Sequence, residues 1–413
     1  MRRLLPVLRP VWRLVPATLR RTLLHQAARI TAPRPDADPP PAQGGLAVLG
    51  EIGAPSGLGE SARMMVLALR AIGVTAVPID TDLRGLLTGG ATEDAPPPAM
   101  PLVIHANPHR LGMALLALPR GAVRGRRIIG YVAWELPVAP PAWRRPLRLV
   151  HEVWVPSHFV AGAMRTILPA GRSVPVRVVP MAMAIAPPVP GGRDRASFGL
   201  PADALIVLTS FNVASGFARK NPLAAVEAFR RAFGPRPDRV LVLKAGNLDA
   251  APADVARLRA AAADLPNVII DGSRLSRADN HAFTAAADIV LSLHRSEGFG
   301  LVLAEAMMLG KPVIATGWSG NMDFMDQHSA ALVPATLVPP RDPSGAFNLP
   351  GALWAEPDLD AAAAHLRRLA DDPAARAALG EAGRRMAARR LTAEPLRQAV
   401  QALGLAPPPD AAP

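Results

Sequence analysis

Two glutamates stand eight positions apart in the stretch RSEGFGLVLAEAMMLGKPVIAT, Arg295 to Thr316, with a Gly-Phe-Gly turn between them. Glu305 falls in an apolar helical run, LVLAEAMMLG, which Gly310 caps and Lys311-Pro312 cannot continue. Gly298 and Gly300 let the backbone turn sharply and admit a ligand at close range. The first amides of the helix are then free and carry the positive end of its dipole, which suits a phosphate. Glu305 lies on the order of 7 Å from the helix start, and a carboxylate there accepts two hydrogen bonds from a vicinal diol. A diol beside a phosphate describes the ribose of a nucleotide. Glu297, ahead of the helix, then reaches the far side of the phosphates, where a transferred group sits. The plainer alternative is a solvated loop glutamate and a surface helix glutamate. Ala304, Ala306, Met307 and Met308 argue instead for a largely buried helix, where an unpaired carboxylate is costly.

Positive charge gathers at Arg219-Lys220, at the start of the helical stretch NPLAAVEAFRRAF. Two cations are unusual near a helix N-terminus unless an anion sits between them; otherwise they are two solvated loop cations. A second glycine-rich turn, GEIGAPSGLGESAR, follows a strand and opens a helix, so Gly53, Gly57 and Gly59 can let backbone amides approach a ligand. It is no dinucleotide fingerprint, because no glycine follows Gly59 by three residues.

The elements that must position these residues follow from the apolar pattern. At 413 residues, half of them hydrophobic, the chain exceeds what one core supports, and two domains are expected. Cysteine is absent, which excludes disulfides, thiolate metal sites and a catalytic thiol. Residues 45–157 alternate strands (GLAVLGEI, VTAVPID, PLVIHAN, RRIIGYVAW, EVWVPS) with helices such as GLGESARMMVLALRAIG. After the Pro/Gly cluster MAIAPPVPGGRD the pattern restarts with ALIVLTS, RVLVLKAG, NVIIDGS, DIVLSLH and KPVIATG. The fold class is therefore α/β, with two Rossmann-like doubly wound domains facing a cleft, where ligands sit beyond the strand ends. The division expected is a basic arm and Pro-rich linker over 1–42, a first domain over 43–190, a second over 191–390, and a C-terminal helix with a loose tail over 391–413.

Much of the net charge of +13 lies in residues 1–35, where eight arginines precede the first acidic residue, Asp36. Pro6, Pro10 and Pro16 interrupt this segment, and arginine recurs too often for a secretory signal. The preferred reading is an arm on anionic lipid, with Trp12 and the aliphatic residues toward the acyl region. A transit peptide and a solvated leader are the alternatives. No later segment offers about 18 uncharged apolar residues, so no transmembrane helix is expected.

The paired-glutamate motif, Glu297 and Glu305 with seven residues between, resembles the donor-binding signature of glycosyltransferase family 4, retaining enzymes of the GT-B fold. The following GWSGNMDFM, the stretches YVAWELPVAPPAW and HEVWVPSHFVAGAMR, and ARKNPLAAVEAFRRAF resemble that family too, over roughly residues 45–390. The resemblance implies that Glu305 binds the ribose hydroxyls and Glu297 the donor-sugar hydroxyls. It places the diphosphate against the backbone of Gly298, Phe299, Gly300 and Leu301 and beside Lys220. Where the family commonly carries an arginine this chain has Ala214, and Arg219 is the candidate substitute. The resemblance also sets the glycine-rich loop, with Gly57 and Gly59, at the border of the active site. Glu135 becomes an acceptor-side contact, with Trp134 available to stack on a sugar face. His105 is an acceptor-side residue or a satisfied core histidine.

The implied activity is transfer of a hexose, with mannose a candidate, from a nucleoside-diphosphate sugar to a glycan or lipid-linked acceptor in surface polysaccharide or glycolipid assembly. An epimerase or phosphorylase on the same architecture is the nearest alternative. A nucleic-acid role would rest on charge alone, so no nucleic-acid partner is expected. Asp80-Thr-Asp82 is the metal-binding triplet considered. It lies outside the paired-glutamate region, so no metal or cofactor is expected and cations with helix amides carry the leaving-group charge. The expected location is the cytoplasm, peripheral to the membrane.

Overall fold

The computed structural model describes residues 28, 31–54, 56–81, 96–119, 121–168 and 174–405. Most of the basic arm, Asp82 and the end of the tail lie outside the described residues.

The first sheet comprises β1 (Leu46–Gly50), β2 (Ala76–Asp80), β3 (Leu102–His105), β4 (Ile128–Tyr131), β5 (Glu152–Val155) and β6 (Val176–Val178). It is parallel throughout, in the order β2-β1-β3-β4-β5-β6. Four of these strands, β1, β3, β4 and β5, are buried at every position, which explains why they read as unbroken apolar runs: both faces of the sheet are covered. On one face lies α1 (Gly57–Ala71), opened by Ser56, whose Oγ accepts the Gly59 amide at 3.1 Å. The other face carries α2 (Pro108–Ala117), two single turns (Pro141–Arg144 and Pro146–Leu149) and α3 (His158–Arg165), whose Leu111, Leu115, Trp143, Leu147, Val160 and Met164 share one core cluster.

The second sheet is likewise parallel, in the order β12-β11-β10-β7-β8-β9. Its strands are β7 (Leu205–Asn212), β8 (Arg239–Gly246), β9 (Val268–Asp271), β10 (Ile289–Ser292), β11 (Val313–Thr316) and β12 (Ala331–Val333). Between them run α4 (Phe217–Lys220), α5 (Pro222–Phe233), α6 (Pro252–Ala261), α7 (Arg277–Ala286) and α8 (Leu301–Met308). The connections run in opposite directions away from β7 and β10, so a topological switch point opens beyond Asn212 and Ser292. The corresponding point in the first sheet lies between β1 and β3.

All ten strands read from the sequence are present, and the two doubly wound sheets are as expected. The short strands β6 and β12 and two larger features are not foreshadowed. A hairpin of β13 (Ala335–Val338) and β14 (Trp354–Pro357) leaves the second domain, and Phe347, Ala352 and Trp354 pack into the first domain's core cluster. The segment set apart as a C-terminal helix and tail also behaves differently. After α9 (Leu359–Asp371) and α10 (Pro373–Arg390), the last helix α11 (Glu394–Ala402) returns to the first sheet. There Leu396, Ala399, Val400 and Leu403 are buried against Leu46, Val48, Met65 and Leu69.

That docking is apolar and tight enough to measure. Leu396→Ala is expected to cost the first domain about 2–5 kcal/mol through lost burial and the cavity left behind, read as a lower urea midpoint for a probe in residues 46–178.

Candidate functional site

The chain emerging from β7 at the switch point forms the single turn α4, which ends at Asn221 in the left-handed conformation (φ 53°). This delivers Arg219 and Lys220 beneath the loop that follows β10. Lys220 Nζ lies 2.5 Å from Glu297 Oε1, and Arg219 Nη1 lies 3.1 Å from the same oxygen. The two cations are not equivalent. Arg219 is 2% exposed, and its guanidinium donates to the Ser296 and Ser215 carbonyls, both at 2.8 Å. It is a fixed charge, bolted to the backbone on both sides. Among the described residues the Lys220 ammonium bonds only Glu297, so it lacks the backbone anchors that hold Arg219.

Burial alone would push the Glu297 carboxyl up, but Lys220 and then Arg219 hold it down at about 2. Burial lowers the Lys220 ammonium; Glu297 opposes that, and Arg219 adds to it. Burial also works against the Arg219 guanidinium, yet Glu297 and Glu135 raise it above its ordinary value. His294, two residues past β10, is fully buried and pushed down to about 4, by burial first.

The backbone around Glu297 is fixed by the loop after β11. Ser319 adopts φ +79°, costly for a residue with a side chain, and its hydroxyl accepts the Glu297 amide at 2.8 Å. The Gly320 amide donates to the Glu297 carbonyl at 2.9 Å, and a Cβ on Gly320 would sit 2.3 Å from the Gly298 oxygen. Gly300, at φ +96°, makes the turn into α8. Phe299 packs its ring on Phe324 at 5.1 Å, so its backbone, not its side chain, borders the loop. Ahead of Ala304, whose amide bonds the Gly300 carbonyl, the α8 amides of Leu301, Val302 and Leu303 have no intrahelical partner. Glu305, one and a half turns on, is partly exposed along the side chain (18%), and His281 Nε2 of α7 lies 3.4 Å from its Oε1.

The first domain meets this loop directly. Ser157 Oγ donates to the Gly298 carbonyl at 2.6 Å, His158 bonds Asp323 through its amide and ring, and Glu135 lies 3.8 Å from Arg219 Nη2. A Cβ on Gly298 would meet the Trp134 carbonyl at 2.7 Å, so the absent side chain admits the other domain's backbone where the sequence reading put a ligand. Trp134 is not open to a sugar: Trp143 (4.8 Å) and Phe347 (5.7 Å) flank it, and its Nε1 donates to Val138 O. Nor is His105, whose ring stacks on Tyr131 and contacts Ser61 Oγ at 2.8 Å and Met65 Sδ at 3.4 Å. Burial pushes it down to about 3, so it is a neutral core histidine.

In the glycine-rich loop the two candidates divide. Gly57 is exposed with open space at its Cβ position, whereas a Cβ on Gly59 would strike the Glu51 and Ala54 carbonyls, and its amide is already capped by Ser56. Asp80 Oδ2 accepts the Gly53 amide at 3.2 Å, bracing this loop. No group of three or more metal-ligating side chains occurs among the described residues. A further ion-pair cluster completes the picture. Glu60 of α1, 7% exposed, pairs with Arg63 at 2.7 Å and, across the domains, with Arg277 of α7 at 2.9 Å.

The depressed Glu297 carboxyl makes a signed prediction. Its stabilising contribution is complete above its ordinary value of 4.5 and is lost as pH falls toward about 2. In acid-unfolding curves, the stability difference between the wild type and Glu297→Gln should therefore shrink across that window and stay constant above it.

Comparison with known proteins bears on the fold. Residues 194–386 match the family model for glycosyl transferases group 1. A search of curated protein sequences returns no match. Among solved structures, HepE of Anabaena, in complex with UDP and glucose, superposes with a TM-score of 0.61 at 16% identity, over 87% of this chain and 99% of that one. Sucrose-phosphate synthase from Thermosynechococcus elongatus gives 0.61 at 17% identity, over 90% and 99%. A glycosyltransferase from Rickettsia africae gives 0.59 at 13% identity, over 87% and 97%. The chain thus has the two-domain GT-B fold of these structures, and its second domain matches the group 1 glycosyl transferase family.

Proposed function

We propose that the protein transfers a hexose from a nucleoside-diphosphate sugar to a glycan or lipid-linked acceptor with retention of configuration. The observation that carries this reading is the meeting of Lys220, Arg219 and Glu297 beside the free amides that open α8, with Glu305 further along the same helix. In this reading Glu305 takes the ribose diol, the α8 amides and Lys220 take the diphosphate, and Glu297 takes the donor-sugar hydroxyls. An incoming diphosphate competes with Glu297 for Lys220, while Arg219 stays in place as a fixed field, standing in for the charge missing at Ala214.

The sugar C1–oxygen bond to the diphosphate breaks as the acceptor oxygen bonds C1 on the same face, and the acceptor proton passes to the departing phosphate oxygen. Preorganised cations and amides stabilise the charge on that oxygen. Glu135, next to Arg219 and on the first domain, is the acceptor-side contact. HepE holds UDP and glucose, which makes a uridine donor the first to test; mannose and guanosine donors are the next.

The acceptor's setting is argued from charge. Residues 96–181 contain eleven arginines and two glutamates. One glutamate, Glu152, is buried against Arg177 and Arg127, and the other is Glu135 in the site. The exposed arginines Arg124, Arg144, Arg145, Arg148 and Arg165 therefore lie, without acidic neighbours in this stretch, on the α2 to α3 layer. Ala28 packs on Gly112 of α2 in the same layer. An anionic membrane surface holding a lipid-linked acceptor fits this field. No helix among the described residues is long and apolar enough to cross a membrane.

Three outcomes test the reading. In calorimetry with UDP or GDP, Glu305→Ala should weaken binding by roughly 1–3 kcal/mol, whereas Glu297→Ala should lower turnover more than nucleotide affinity. Transfer should continue in EDTA; complete loss restored by manganese would reassign the leaving-group charge to a metal. Full-length protein should sediment with anionic liposomes more than a chain lacking residues 1–35, and salt should weaken it; equal sedimentation of the two would remove the arm's membrane role.

A further inference from the structure

We propose that His281 is a positioning residue that sets the Glu305 carboxylate for the donor ribose, an inference that rests on the nucleotide-sugar reading above. His281 is 4% exposed and sits in α7, outside the paired-glutamate motif. Its Nδ1 lies 3.2 Å from the Val189 carbonyl and its Nε2 lies 3.4 Å from Glu305 Oε1. Both partners only accept, so each contact is a hydrogen bond when that ring nitrogen carries a proton. The two bonds form together only when the ring carries both protons; the Val189 carbonyl then fixes one end and Glu305 is the acceptor at the other.

Glu305 gains its only side-chain bond among the described residues from this ring. A glutamate on a short helix otherwise samples several rotamers, and ordering it on binding would cost affinity. With Oε1 held, Oε2 keeps its lone pairs for the diol. The support behind His281 is rigid. Ser276 caps α7 through the Asp279 amide at 3.1 Å, Arg277 one turn earlier holds Glu60 of the first domain, and the Gly191 amide donates to the Ala278 carbonyl at 2.8 Å. Val189 and Gly191 belong to the stretch joining the two sheets, so the ring ties that connection to the ribose carboxylate.

Two amide replacements separate this role from packing. His281→Gln sets its amide near the former Nε2 and retains a donor toward Glu305. His281→Asn, one methylene shorter, retains a donor toward Val189 and loses the one toward Glu305. Binding of UDP, GDP and ADP, each with its 2′,3′-dideoxy counterpart, is measured by calorimetry for the wild type and both variants, with thermal midpoints recorded alongside. His281→Asn is expected to bind the ribonucleotide roughly tenfold more weakly and the dideoxynucleotide as the wild type does, whereas His281→Gln stays near wild type for both. Equal weakening of both nucleotides by His281→Asn, no weakening of either, or retention by His281→Asn with loss by His281→Gln would each overturn the proposal. If the wild type itself does not distinguish the ribo- from the dideoxynucleotide, or binds no nucleotide, the assignment of Glu305 to a ribose fails first and the proposal falls with it.

Discussion

A carboxylate taken out of water must be met by cations, and Glu297 is met by two. Removing one partner of such a buried pair typically costs about 3–5 kcal/mol, which makes the cluster a constraint on everything around it. Lys220 and Arg219 come from the segment after β7, and Glu297 from the segment after β10. Those strands are sequence-distant yet hydrogen-bonded neighbours. The site therefore exists because the sheet reverses its winding there, and the order of the strands is the deepest determinant of the chemistry.

Around that cluster the two domains approach through backbone, and small residues make the approach possible. Gly298 lies under the Trp134 carbonyl, and Gly320 lies against Gly298. The hairpin loop adds a hydrophobic bridge, with Phe347 set between Trp134 and the Arg219 guanidinium at 5.6 Å. Phe347 thus covers one side of the buried fixed charge, and Glu135 of the first domain lies near another. A fixed cation in such surroundings keeps its field undiluted by solvent, which is the condition under which preorganised charge matters most for a developing anion.

Much of this was legible in the sequence. Strands such as Leu102–His105 and Ile289–Ser292 are continuous apolar runs between Gly/Pro breaks, and that pattern has few other readings. The glutamates and the Arg219-Lys220 pair stood out because charge in an alanine-rich context calls for a partner. Other parts gave no such signal. β6 carries Arg177, which leaves to pair with Glu152, and β13 is mostly exposed, so neither shows a periodic apolar pattern. His281 and Glu60 occupy ordinary helical positions whose partners, Glu305 and Arg277, are fixed only by tertiary packing. His105 and Trp134 sit at the strand ends where a cleft opens, but neighbouring side chains, which local sequence does not specify, fill the space around them.

The return of α11 to the first sheet has a consequence for how the chain comes to be folded. Leu396, Val400 and Leu403 cover apolar surface contributed by residues near position 46. Domains made on the ribosome generally fold as units, the earlier one first, but here the earlier one lacks part of its covering until the last helix has been synthesised. The second domain, whose sheet and helices end before α11, has all its own layers by then. Order of completion is therefore reversed relative to order of synthesis, and the first domain's exposed apolar flank must wait through the making of the whole second domain before it is closed.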